Sequence, residues 1–570
     1  MKGFSGLIED IREGKYIDQA DILPYLCSES REERSAANAK LAHAYFHSGN
    51  FDQARIFIQR SWILSEFSSD LLPLYLDIHA AIGDMNAIKE AYKRLGMKEA
   101  ARGRIIDAIR YFSMSMYTYA KYQNLDKYEY DFDILERIEK MAEHRRFREY
   151  FQTEPLPNRK IRLAYLVFGM THTNSVLVKI DRIFAQYHDK DRFEVAFFMP
   201  EKKSALSKLA QAKDNIKIIR DYNCKVIVPD AGNDEERLFE IATQIHNYQA
   251  DILIANALLA DLTHYFIASL RPAPLIIGFV AGPPPQFVSH SLDWGITWTK
   301  HPLLDAPCDC SLVDLEVELP VRDNLTFYRK QQFNIPEESF VLMSGGRYTK
   351  FQEPAFWNAI IDIMRDHVNV YYVVVGPTES EIPLLSTIVP TELKARLRFV
   401  GWREDFLKIL GLADTVLDTF PSGGGLVLMD AMALGIPVVS FKNNYMKLFD
   451  QTDWSPAEEI IPVSELIVDR GNYDHFKLLV TKLIDDREYR TKIAEICKKQ
   501  IFLTKGNPEK MVRRFESIYI KVLGKKLRHN ISNKNQLSGL DEIENKSLRS
   551  NLRKIQHKIK EKLIRYVKLF

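Results

Sequence analysis

Apolar and small residues recur at three- and four-residue steps from the start of the chain to about residue 155, the spacing of amphipathic helices. The stretch "LAHAYFHSGNFDQARIFIQRSWILS" reads as helix, a Gly49-Asn50 turn, then helix. "LYLDIHAAIGDMNAIKEAYKRL" repeats the arrangement with Gly83-Asp84. The two glycines stand 34 residues apart, a helical-repeat period, and a degenerate third unit follows around "GRIIDAIRYFSMSM". Such helices bury their faces on one another and either expose a groove or brace the next domain. "TEPLPNRK", with two prolines, reads as a linker. The period then changes. "KIRLAYLVFGM", "RFEVAFFMP", "CKVIVPD", "ADILIANA" and "APLIIGFVAG" are short apolar runs separated by helical stretches, and a second series begins near residue 336 with "FVLMSGG", "VNVYYVVVG", "LRFVGW", "DTVLDTF" and "IPVVSF". Apolar strands alternating with helices predict parallel sheets covered on both faces. The pattern therefore predicts an α/β chain: a helical region over 1–155, doubly wound domains over 156–335 and 336–525, and a tail over 526–570.

Composition narrows this picture only a little. At 570 residues the chain exceeds a single core, and 46% hydrophobic with 27% charged residues is ordinary for a soluble globular protein. A net charge of +2 supplies no bulk field for nucleic acid, so none is expected as a partner. The five cysteines are scattered; Cys308-Asp309-Cys310 is an isolated pair and reads as loop thiols in a reducing compartment rather than a metal site. The N-terminus is too charged for a signal peptide, and no uncharged apolar run reaches membrane-spanning length, so the expected location is the cytoplasm.

The candidate chemistry lies at the carboxyl ends of the second series of strands. After "DTVLDTF" come Pro421, Ser422, Gly423, Gly424 and Gly425, then the helical run "LVLMDAMALG". A helix N-terminus favours phosphate, and glycines let the backbone approach an anion closely. Asp430, about one turn in, is placed to accept from the two hydroxyls of a ribose. The same pattern also fits a tight strand–helix turn with a solvated aspartate. "FVLMSGGRYTKFQEP" ends its strand at Gly345-Gly346 and then presents Arg347 and Lys350, two cations suited to a diphosphate leaving group or to a solvated basic loop. "LRFVGWREDF" places Gly401, Trp402 and Arg403 after a strand, where backbone groups can read a nucleobase; Trp402 fits a core position equally well.

These residues carry a resemblance. Residues 336 to 520 look like the nucleotide-sugar half of GT-B glycosyltransferases, and residues 1 to about 525, weakly at the start and well around 250–280 and 410–440, are similar to the O-linked N-acetylglucosamine transferase family, which carries tetratricopeptide repeats before its catalytic half. The likeness rests on Leu270-Arg271-Pro272-Ala273-Pro274, on "THTNSV" with His172 at the family's first loop histidine, on "RYTKFQEP" and on "LADTVLDTFPSGGGLVLMDAMALGIPVVSF". It implies Lys350 as the diphosphate-binding lysine and Asp430 as the ribose-binding aspartate. Two departures stand out: Gly425-Leu426-Val427-Leu428 replaces the family's His-Thr-Thr-Gly, and Val176 replaces its second loop histidine. Related bacterial N-glycosyltransferases share the architecture.

The resemblance implies an inverting transfer from a UDP-sugar to a protein side chain, Ser/Thr or Asn, with no cofactor and no essential metal. His172 is then the acceptor-side base or orienting group, with His264 and His290 as weaker candidates. Two alternatives stand beside it: a transferase acting on a surface polysaccharide at the membrane, and an inactive repeat-containing binding protein. A sugar-nucleotide epimerase is disfavoured by the Leu-Arg-Pro-Ala-Pro segment and the repeats. The tail motivates the membrane alternative. Over 547–570 an apolar stripe of Leu548, Leu552, Ile555, Ile559, Leu563, Tyr566, Val567 and Phe570 is surrounded by basic residues. That is a helix suited to an anionic membrane at the inner face of the plasma membrane, to the protein body, or to a coiled coil.

Overall fold

The structure is a computed structural model that describes residues 3–116, 118, 131–148, 159–167, 176–255, 262–280, 291–298, 308–382, 385–421, 423–442 and 456–526. His172, His290, Ser422, the Pro-rich loop 281–287 and the tail 527–570 lie outside these residues. The chain divides into two compact units, Met1–Val512 and Arg513–Phe570. In the second, residues 513–526 are helical and Arg513 pairs with Glu516 at 3.0 Å.

The first unit begins with consecutive helices: α1 (Phe4–Arg12), α2 (Gln19–Leu26), α3 (Arg31–His47), α4 (Phe51–Leu64), α5 (Leu72–Ala81), α6 (Met85–Ala101), α7 (Ile105–Met116) and α8 (Phe132–Glu143). Each dipeptide singled out as a turn does two jobs. Gly49 and Gly83 end their helices at φ +79° and +73°, in the left-handed region that glycine enters without a Cβ penalty. The following residue caps the next helix: Asn50 accepts from Gln53 N–H, and Asp84 accepts from Ala87 N–H at 3.0 Å. Each of α3 to α6 packs on its successor, around a core that includes Leu41, Ile58, Trp62, Ile78 and Ile88. Close α6–α7 packing needs Gly96, where an added Cβ would lie 2.4 Å from the Phe112 ring. Replacing Asp84 by alanine removes the cap and its contact with buried His79, and is expected to cost about 1 kcal/mol, read as a lower urea midpoint; Asp84→Asn keeps the cap and most of the stability.

At their far end these helices pack on the domain that follows. Phe112, Ile134, Leu135 and Ile138 of α7 and α8 share a core with Tyr265 and Phe266 and with strand residues Leu166 and Leu253.

The first sheet has seven parallel strands in the order β3-β2-β1-β4-β5-β6-β7: β1 (Ile161–Leu166), β2 (Phe193–Phe198), β3 (Lys225–Ile227), β4 (Ile252–Ala255), β5 (Leu275–Val280), β6 (Trp294–Thr297) and β7 (Cys310–Leu312). The second has six parallel strands in the order β10-β9-β8-β11-β12-β13: β8 (Phe340–Gly345), β9 (Val370–Val375), β10 (Leu397–Gly401), β11 (Thr415–Leu417), β12 (Val438–Phe441) and β13 (Ile467–Val468). The ten apolar runs of the sequence all become strands. β6, β7 and β13 are additions to that reading, and Cys310 opens one of them rather than lying in a loop. Strand order reverses between β1 and β4 and between β8 and β11. At such switch points the loops leaving neighbouring strands diverge and leave a crevice at the carboxyl ends. Among the described residues no helix is long and apolar enough to cross a membrane.

Candidate functional site

In the second sheet β8 pairs with β11 in parallel, Leu342 opposite Thr415 and Met343 opposite Val416. The loops leaving these two strands are the ones singled out in the sequence, and the switch point brings them together: Lys350 Nζ donates to Gly423 O at 2.5 Å. Lys350 lies in a short 3-10 turn (Tyr348–Phe351) that leads into a helix (Pro354–Asp366) with proline at its first position, where a missing N–H costs nothing. Arg347 begins the same turn and is exposed. Gly346 fits because its Cβ would lie 3.1 Å from Lys350 Cδ. Gly376 is held at φ +124° against Gly346 O, where a Cβ would lie at 2.0 Å.

The triple glycine is organised by a residue that the sequence reading passed over. Asp418 directly follows β11 and is buried. Its Oδ1 accepts from Thr419 N–H at 2.9 Å and Gly424 N–H at 2.8 Å, and its Oδ2 accepts from Ser440 Oγ at 2.7 Å. Burial pushes its carboxyl up to about 6, against the pull of these donors and of the nearby Lys350 charge. One glycine N–H expected to face an anion is thus committed to Asp418. The next helix (Leu426–Ala433) starts its own bonding with Met429 N–H to Gly425 O at 3.2 Å. The N–H groups of Leu426, Val427 and Leu428 precede that first internal bond and form the helix's positive end. A Cβ on Gly424 or Gly425 would meet other atoms only at 3.5 Å or beyond, so protein packing does not demand glycine there. The signal for Asp418 was an acid directly after an apolar strand, three residues ahead of Pro-Ser-Gly-Gly-Gly.

Asp430 lies in that helix and is only 6% exposed, which removes the solvated reading. Burial pushes its carboxyl up to about 6, while Lys179 pulls it down. Lys179 belongs to the first sheet's half of the molecule, in a helix (Val176–Tyr187) that begins just after the stretch bearing His172. Its Nζ stands 3.9 Å from Asp430 Oδ2.

Of the remaining candidates, Gly401 adjoins this group through Gly376, which packs on Gly346. Gly401 ends β10 at φ +69°, and its carbonyl accepts from Gly376 N–H at 2.9 Å. Trp402 is 61% exposed, so it is not a core residue, and Arg403 is engaged by Asp405 and Tyr328. His264 is fully buried in its helix (Leu262–Ser269), which makes it a core histidine rather than a cleft ligand. The Leu270–Pro274 segment is a structural corner at the amino end of β5, the edge opposite the carboxyl-end loops. Arg271, at φ +56°, donates to Ser291 O, Pro274 O and Asp293 there.

Comparisons with known proteins bear on the fold. Residues 328–500 match the family described as glycosyl transferases group 1. A search of curated proteins gives no match. Among solved structures, a mutant of the O-GlcNAc transferase from Thermobaculum terrenum is similar with a TM-score of 0.52 at 14% identity, covering 88% of this chain and 100% of that one. A glycosyltransferase from Rickettsia africae is 14% identical, with a TM-score of 0.48, over 64% of this chain and 99% of that one.

Proposed function

We propose, for a chain that carries a group 1 glycosyltransferase domain on a GT-B fold, that it moves a sugar from a UDP-sugar to a protein side chain, with inversion and without an essential metal. The observation that carries this reading is the convergence of Lys350 and the Gly423–Gly425 turn at the β8/β11 switch point, with Asp430 in the helix beyond. In the proposed complex the diphosphate lies against the open backbone at Gly424 and Gly425 and the start of the helix. Lys350, with Arg347 more peripheral, offsets the charge that builds on the leaving group. Asp430 accepts from the ribose hydroxyls. The uridine assignment and the protein acceptor rest on the sequence resemblance. His172 is proposed as the acceptor-side base. The helices α3 to α7 are proposed to guide the acceptor.

UDP titration tests the donor half of this reading. Affinity is expected to stay level above about pH 7 and to fall as pH drops through about 6, because the ionised carboxylate accepts from both hydroxyls, and protonation removes its charge and turns one of its oxygens into a donor. Asp430→Asn is expected to bind more weakly and to lose that part of the pH dependence. The phosphate of UDP titrates in both proteins, so the difference between the two profiles isolates the carboxylate. Superimposable profiles would remove Asp430 from the site. Hydrolysis of a UDP-sugar by the native chain separates an active enzyme from an inactive binding protein.

A further inference from the structure

The contact between Lys179 and Asp430 joins residues 251 positions apart, one from each sheet's half of the molecule. Its geometry is specific in one respect. At 3.9 Å the ammonium is beyond hydrogen-bond distance but well inside the range at which opposite charges act on each other's ionisation. The acceptor positions on both carboxylate oxygens are therefore not taken by Lys179. Lys179 is itself partly open to solvent, whereas Asp430 is nine-tenths buried.

We propose that Lys179 is a positioning residue of the donor site, supplied by the other half of the fold, whose charge keeps Asp430 ionised while leaving its oxygens open to the ribose hydroxyls. This rests on the reading of Asp430 given above. Four other charged groups described near that helix lie at its ends. Lys350 and Asp418 are at the glycine turn before it. Lys498 lies against Gly435 beyond its C-terminus, where Arg322 also donates to Leu434 O. The burial that drives the Asp430 carboxyl up to about 6 is opposed by Lys179, so removing that ammonium sends it higher. The ionised form then makes up a smaller share near neutral pH. A consequence is that the donor site is complete only when the two halves stand as close as they do here, which links cleft closure to donor affinity.

The experiment compares UDP affinity from pH 5.5 to 9 for the native chain, Lys179→Met, Lys179→Arg and Asp430→Asn, with melting temperature as a check on folding. Lys179→Met is expected to shift the affinity profile upward by at least about one pH unit, to bind up to about tenfold more weakly at pH 7, and to recover at high pH. Lys179→Arg is expected to restore the native profile. A merely structural role would weaken binding equally at every pH and would lower the melting temperature. A Lys179→Met profile that superimposes on the native one, while Asp430→Asn is impaired, overturns this inference and leaves the donor reading standing. Failure of the native chain to bind UDP, or an Asp430→Asn profile identical to the native one, overturns both.

Discussion

Replacing Lys350 by alanine is expected to lower sugar transfer about 100-fold, because one preorganised charge contact to a developing anion is worth on the order of 3 kcal/mol. Its ammonium sits at the β8/β11 switch point, anchored on Gly423 O, where a leaving diphosphate needs a counter-charge. No divalent ion shares that task in the proposed mechanism, so little else can compensate. Arg347→Ala is expected to cost clearly less, since that guanidinium is exposed and its field is screened by water and salt. Steady-state transfer or donor hydrolysis by the two variants makes the comparison, with kcat carrying most of the Lys350 effect. Rates near native in Lys350→Ala would take away the main support for the site.

Asp418→Ala is expected to destabilise the second sheet's half by on the order of 4 kcal/mol and to abolish UDP binding. Three buried donors, Thr419 N–H, Gly424 N–H and Ser440 Oγ–H, would lose their acceptor together, and a stranded buried donor costs about 1–3 kcal/mol. The glycine turn would lose the bond that sets its shape. Asp418→Asn separates the hydrogen bonds from the charge. An amide oxygen keeps the two backbone donors on Oδ1. The amide nitrogen then faces a serine hydroxyl that can rotate to accept, so stability is expected to stay within about 1 kcal/mol of native. The pH dependence should differ as well. The folded native protein holds the Asp418 proton up to about 6, whereas the unfolded chain releases it near about 3.9, so this group's contribution to stability falls as pH rises through that window. In Asp418→Asn that decline is absent. Thermal melts of the three proteins between pH 4 and 8 provide the measurement. A native-like Asp418→Ala would show that the turn keeps its shape without the carboxylate.

Much of this protein was legible from local pattern alone. The helix pairs follow from a period of three to four residues closed by Gly49-Asn50 and Gly83-Asp84, in which one residue ends a helix and the next caps its successor. Ten of the thirteen described strands follow from apolar runs bounded by turns, and parallel pairing follows from their alternation with helices. Lys350 and the triple glycine were legible because switch-point loops in such sheets lie at strand ends, and strand ends show in the sequence. What local pattern lacks is a signature for pairing between distant segments. β7 and β13, three and two residues long, exist only because a neighbouring strand offers its free edge. Asp418 reads as an ordinary acid after an apolar strand until folding buries it and turns three donors toward it. The Arg271 corner looks like a functional signature, yet the direction of β5 puts it at the sheet edge away from the cleft. Asp430 and Lys179 have no sequence relation at all. Only the packing of one half of the fold against the other brings a cation within 3.9 Å of that carboxylate, and burial there gives the charge its influence.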